Sequence, residues 1–128
     1  MGDRMSELVS HIDYGKFFDE LLQLDKNVRF AAIYDGQFHA KFRNGIQGYL
    51  EEEEIKSSLS KAQRRWDSRK KMSFKIGEPK FAMAQYGKVN RITIPLDNDG
   101  LILITTEIDV DIIQLVDNVI EVRDSFFG

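Results

Sequence analysis

No cysteine occurs among the 128 residues, which excludes a disulfide framework, a cysteine-ligated zinc site and a thiol nucleophile. Proline occurs only twice, and no Gly/Ser-rich or Pro-rich stretch divides the chain. No apolar run approaches the roughly 20 residues that a membrane span requires. The opening MGDRMSELVSHIDYGKFF lacks the apolar core of a signal peptide. These absences predict a cytoplasmic protein with no membrane partner. Charge of one sign is lacking as well. Eighteen Lys and Arg against 21 Asp and Glu leave a net charge of −3, which argues against nucleic-acid binding over the whole surface. Only two histidines occur, His11 and His39, and neither has a partner at metal-ligand spacing. No nucleophile elbow, Walker loop, dinucleotide fingerprint or HExxH is found. The sequence therefore nominates no catalytic residue, no cofactor and no metal site, and it reads as a non-enzyme.

A chain of this length falls at the common size of one domain, so a single domain over 1–128 is expected. Residues 1–26 read as an N-terminal helical segment, in which Phe17, Phe18, Leu21, Leu22 and Leu24 form a stripe at helical spacing. Gly15 is expected to kink it or to set off a short leading helix over 7–12. The stretch 28–34, mostly apolar or aromatic and without polar alternation, reads as a buried strand, followed by Asp35-Gly36, a two-residue hairpin signal. Phe38, Ala40 and Phe42 alternate with polar residues over 37–43, which predicts an edge strand whose wet face carries a solvated His39. Three more strands are expected over 80–86, 89–96 and 101–106, the first two joined by a type II′ turn at Gly87-Lys88. Because 101–104 is Leu-Ile-Leu-Ile, its strand should be central. Asp109 is the expected N-cap of a closing helix over 110–126, with Ile112, Val116, Val119 and Ile120 facing inward. The element order is α-β-β-α-β-β-β-α.

The longest helix is expected over 51–73. Its apolar seam, Ile55, Leu59, Ala62 and Trp66, has spacings of 4, 3 and 4. Glu51, Glu52, Glu53 and Glu54 lie at its start and Arg69, Lys70 and Lys71 at its end, each block opposing the partial charge of its helix terminus. Between 61 and 75 there are seven cations and one acid, Asp67. Three readings of this stretch are a solvated helix face, a subunit contact, and a site for a phosphate-rich partner with Trp66 stacking a base. Two apparent motifs fail on context. Gly45-Ile46-Gln47-Gly48 matches the GXXG of KH domains, but that loop joins two helices and here a strand precedes it. Placing Gly100 at the sixth position of a calcium loop puts Pro95 first and Thr106 twelfth, neither of them an acid.

The strand ending in Asp35-Gly36, the long helix 51–73, and the hairpin 89–106 followed by Asp109 and an apolar helix together resemble the roadblock/dynein-light-chain family, part of the profilin-like and longin-like group. The segments YLEEEE, WDSRKK and KIGEPKFAMAQYGKVNRITIPLDNDGLILITTE are also similar to a group of uncharacterised small archaeal proteins. The family resemblance implies an α+β fold: a five-stranded antiparallel sheet in order 2-1-5-4-3 with helices on both faces, the middle helix alone on one of them. It also implies dimers joined through strand 3 with the middle helices antiparallel, acting as scaffolds or regulators of small GTPases and signalling complexes.

The leading expectation is accordingly a dimeric interaction module, a homodimer that binds a protein partner such as a small GTPase. Antiparallel pairing of two middle helices sets Glu51, Glu52, Glu53 and Glu54 of one copy opposite Arg69, Lys70 and Lys71 of the other. The seam Ile55, Leu59, Ala62 and Trp66, or the strand 80–86, would supply most of the affinity. The alternative is a PAS-like sensor holding a small molecule between sheet and helix, with Ala31, Ala32, Ala82 and Ala84 leaving the room.

Overall fold

A computed structural model describes residues 13–127; the expected leading helix over 7–12, and His11 with it, lie outside them. The sheet is built around two apolar strands. β1 (Val28–Tyr34) pairs antiparallel with β2 (Phe38–Phe42) on one side and with β5 (Leu101–Thr106) on the other. β4 (Asn90–Pro95) lies against β5, and β3 (Ala82–Gln85) lies outside β4. The order is β2-β1-β5-β4-β3, so the expected sheet forms with β5 at its centre. All six residues of β5 are buried, as a strand covered on both faces requires.

Alternation sorts the sheet into two faces. Ala31, Ile33, Ile92, Ile94, Ile102 and Ile104 meet α1 (Tyr14–Gln23) and α4 (Ile112–Phe127). Phe30, Ala32 and Leu103 meet α2 (Glu52–Lys70) on the other side. A bulge between Val28 and Phe30 shifts the parity of β1, so Val28 joins the α1/α4 layer. In α1, Phe17, Phe18, Leu21 and Leu22 are buried, each worth about 1.5–3 kcal/mol of transfer free energy. Phe17 meets the rings of Phe126 and Phe127 edge-on at 5.3 and 5.1 Å, tying the two helices of this layer together.

Element ends depart from expectation where side chains compete for the backbone. α1 starts on Asp13, whose carboxylate accepts the Lys16 N–H at 3.0 Å, so Gly15 sits in its first turn. α4 starts on Asp111, which accepts the Gln114 N–H at 3.1 Å, and not on Asp109. The Asp109 carbonyl instead accepts Asn27 Nδ2 at 2.9 Å. Leu115 joins Val116 and Val119 inside, while Ile112 and Ile120 are half-buried. The first hairpin takes three loop residues rather than two: Tyr34 opposes Phe38, and Gly36 adopts φ 98°. Gly87 has no positive φ, so the 86–89 turn is not type II′. The long helix ends at Lys70 and not near 73, because the next seam positions after Trp66 are Arg69, Lys70 and Ser73, which offer the sheet nothing apolar. A separate turn, α3 (Ser73–Ile76), follows and is closed by Gly77 at φ 94°.

Candidate functional site: an edge strand beside a charged helix

α2 opens on Glu51, whose N–H donates to the Glu54 carboxylate at 2.9 Å, satisfying a backbone donor at the N-terminus. Its seam is spent inside the chain: Ile55, Leu59, Ala62 and Trp66 are all buried against the sheet, Trp66 with only 1% exposed. Trp66 packs with Ala62 and Leu101, and its Nε1 donates to Thr93 Oγ1 at 2.9 Å. Side chains committed in this way have no area left for a second copy or for a stacked base.

The charge blocks lie at the two ends of α2 and are partly engaged locally. Glu51, Glu52, Glu53 and Glu54 are exposed, and Lys56 approaches Glu52 at 3.7 Å and Glu53 at 3.6 Å. At the other end Lys70 pairs with Asp99 at 2.8 Å, tying the helix to the β4–β5 turn. Arg69 lies over the Trp66 ring at 5.4 Å, and Lys71 is exposed. Beyond them α3 presents an apolar tip, with Phe74 81% and Ile76 77% exposed beside Met72. Tyr49 and Leu50 are exposed just before the other end of α2.

β3 completes this surface. Among the described residues it pairs only with β4, which leaves its outer edge without a strand partner, and Met83 (42%) within it and Tyr86 (54%) just after it are exposed. A bare edge of this kind is a template for strand pairing.

Other chemistry is structural. Arg29, nearly buried, meets Glu107 at 2.5 Å, donates to the Gln47 carbonyl at 3.0 Å and stacks 4.6 Å from the Tyr49 ring. It anchors the 43–50 loop, a role its place in an apolar strand did not reveal. Nor is His39 simply solvated. It is half-buried, stacked 4.6 Å from the Tyr14 ring and 4.0 Å from Asp35. Burial first, then the Asp35 charge and the hydrogen bond donated to that carboxylate, hold the Tyr14 phenol above its ordinary 10.0. No cluster of three metal-ligating side chains occurs among the described residues.

The sensor alternative needs a ligand-sized space between sheet and helix. Beside α2 two spaces measure about 110 and about 40 Å³, and a third of about 350 Å³, lined by Phe38, Ala40, Phe42, Leu50, Glu52 and Ile55, is an open groove against the outer strand β2; ligand pockets run to roughly 300–1,000 Å³. Ala31 and Ala32 are fully covered by packed neighbours, so they permit close approach of helices and leave no void. The larger space, about 850 Å³, is an open outer cleft between the β4–β5 turn, Glu78-Pro79-Lys80 and α4, where cations and carboxylates mix.

This fold, a 2-1-5-4-3 antiparallel sheet with α2 on one face and α1 and α4 on the other, is that of roadblock/LC7 domains. The chain superimposes on a Roadblock/LC7 domain from Streptomyces avermitilis with a TM-score of 0.65 at 9% identity, covering 86% of this chain and 91% of that one. It matches MglB of Myxococcus xanthus with a TM-score of 0.66 at 8% identity, covering 88% and 92%. For the gliding protein MglB of Thermus thermophilus the TM-score is 0.60 at 8% identity, covering 87% and 88%. The sequence matches no protein-family model and no curated protein. At such identities the likeness concerns the fold.

Proposed function

We propose that the chain is a non-catalytic interaction module that works as a homodimer and serves as a scaffold or regulator for a protein partner, a small GTPase or a signalling complex. The observation that carries this reading is the bare β3 edge lying beside α2 in a fold shared with roadblock/LC7 domains. Two copies joined through β3 continue the sheet and bring their α2 helices side by side. α2 has 19 residues and is roughly 28 Å long. In antiparallel register Glu51, Glu52, Glu53 and Glu54 of one copy face Arg69, Lys70 and Lys71 of the other, and Leu50 comes to lie beside Met72. A two-fold contact must be self-complementary, and a helix acidic at one end and basic at the other meets that condition in this register alone. Ile55, Leu59, Ala62 and Trp66 contribute by holding the helix on its sheet, while β3 and the exposed apolar residues supply contact area. The charges select register, since exposed pairs are worth only about 0–1 kcal/mol each.

Sedimentation equilibrium of the wild type and of a variant with Glu51, Glu52, Glu53 and Glu54 replaced by Lys tests the reading. A wild-type dimer that the variant weakens at low salt is expected. A wild-type monomer at roughly 50 μM, where ΔG of association is only about −6 kcal/mol, removes the two-fold platform and the reading with it.

A further inference from the structure

We propose that the sheet face opposite α2, beside β3, forms a trough for one amphipathic helix of a partner protein, apolar along its base and cationic along its sides. The trough rests on the two-fold pairing through β3 proposed above, which closes the α2 side of the sheet and leaves this side open. Met83 lies opposite Ile92, which packs in the α1/α4 layer, so alternation turns Met83 to that same face. Phe81, just before β3, is only partly covered by this layer. Ile113, Asp117, Ile120 and Asp124 recur every three or four residues and share one flank of α4. Asp117, Ile120 and Asp124 line the outer cleft together with Glu78-Pro79-Lys80, the segment that leads into β3, so this flank looks toward β3. Ile113 on it is 61% exposed.

Spacing and charge narrow the occupant. α1 keeps to the β1–β2 side, where Asp19 pairs with Lys41, and α4 takes the β5–β4 side, where Arg123 donates to the Pro95 carbonyl at 2.9 Å. In the paired sheet the two α4 axes therefore stand about four strand spacings apart, roughly 19 Å. That is twice the 8–10 Å between packed helices, so one helix fits between the α4 walls and two do not. A further strand has no place there, because the β3 edge is taken by the second copy. Phe81 and Met83 of each copy supply an apolar floor, and Ile113 and Ile120 the inner side of each wall. The walls are acidic. In the adjoining cleft Lys70 pairs with Asp99 and Arg123 with Asp124, which leaves Glu78, Asp97 and Asp117 with only Lys80 to answer them among the described residues. Lys and Arg beside the apolar stripe of an incoming helix meet these carboxylates. A further copy of this chain docked by the same face would set acid against acid, and an anionic lipid or nucleic-acid surface is repelled likewise.

The probe is a peptide of about 14 residues, four helical turns, built of leucine and lysine with its leucines on one face. A peptide with glutamate in place of lysine is its control. Isothermal titration into the full chain at roughly 0.15 M salt, where diffuse attraction is screened, should give saturable binding of the lysine peptide at one per two chains. The glutamate peptide should not bind. Ile113→Lys and Asp117→Lys should each weaken the lysine peptide roughly 10-fold to 100-fold, since each substitution acts twice in the dimer. Both positions are exposed, and a thermal melt verifies that the variants fold. Glu20→Lys makes the same change of charge as Asp117→Lys but on α1, away from the trough, and should bind as wild type. Equal losses in Glu20→Lys and Asp117→Lys, equal affinity for the two peptides, or one peptide per chain on a dimer overturns the proposal. Light scattering on the same samples reads the oligomeric state independently. A dimer that takes up no lysine peptide refutes the trough and leaves the pairing standing, whereas a monomer refutes the pairing and the trough with it.

Discussion

Replacing Trp66 by Ala is the sharpest test of how α2 is held. Trp66 is almost wholly buried between α2 and the sheet, beside Ala62 and Leu101 and against Ala82, and its Nε1–H bonds to Thr93. Its immediate neighbours include two alanines, which cannot reach into the space left behind. Truncation therefore costs the transfer free energy of the indole plus an unrelaxed cavity, about 3–5 kcal/mol. For a domain of this length the unfolding entropy near the melting temperature makes 1 kcal/mol equal to about 4 °C, so the variant should melt roughly 10–20 °C below wild type. Trp66→Phe keeps most of the apolar area and loses the Thr93 bond, so about 1–2 kcal/mol is expected. Far-UV circular dichroism during heating reads both, since the reporter tryptophan is gone. A Trp66→Ala variant melting within about 2 °C of wild type would refute the packing of α2 described above.

Two further outcomes follow from the loop and helix anchors. Arg29→Met removes the contacts to Glu107 and the Gln47 carbonyl; because Glu107 is 42% exposed it is not stranded, and a loss of about 1–3 kcal/mol in urea unfolding is expected. Faster amide exchange should be confined to the 43–50 loop, and unchanged exchange there would count against Arg29 as its anchor. For Tyr14, a folded-state pKa raised above the ordinary 10.0 means that the unfolded chain releases this proton first. Its contribution is therefore fully present below about pH 10 and is lost as pH rises through the folded value. Urea midpoints of wild type should fall more steeply than those of Tyr14→Phe above about pH 10, and identical slopes would contradict the Asp35 contact.

Much of the fold is legible in the sequence because its patterns are local and unambiguous. Val28–Tyr34, apolar or aromatic but for Arg29, and Leu101–Ile104 lack polar alternation, as a doubly covered strand requires, and the strands Val28–Tyr34 and Leu101–Thr106 form over the expected residues. The seam of α2 is likewise written in its spacing. Boundaries were less legible, because a cap is decided by which competing partner is within reach. Asp109 and Asp111 are equally good N-caps by residue type, and only the approach of Asn27 from the start of β1 separates them.

The surface that matters for function was divided differently. Sequence alone determined the charge blocks of α2 and the basic stretch that follows, since these are properties of neighbouring residues. Tertiary structure alone decided what they surround. Arg91 stands 22 positions after Arg69 and joins Arg65 and Arg69 only because β4 passes beneath α2. The apolar seam could have faced a second copy or the chain's own sheet, and periodicity is identical in the two cases. The sheet takes it because the same chain presents Phe30, Ala32, Leu101 and Leu103 at the matching face, at no cost in translational entropy.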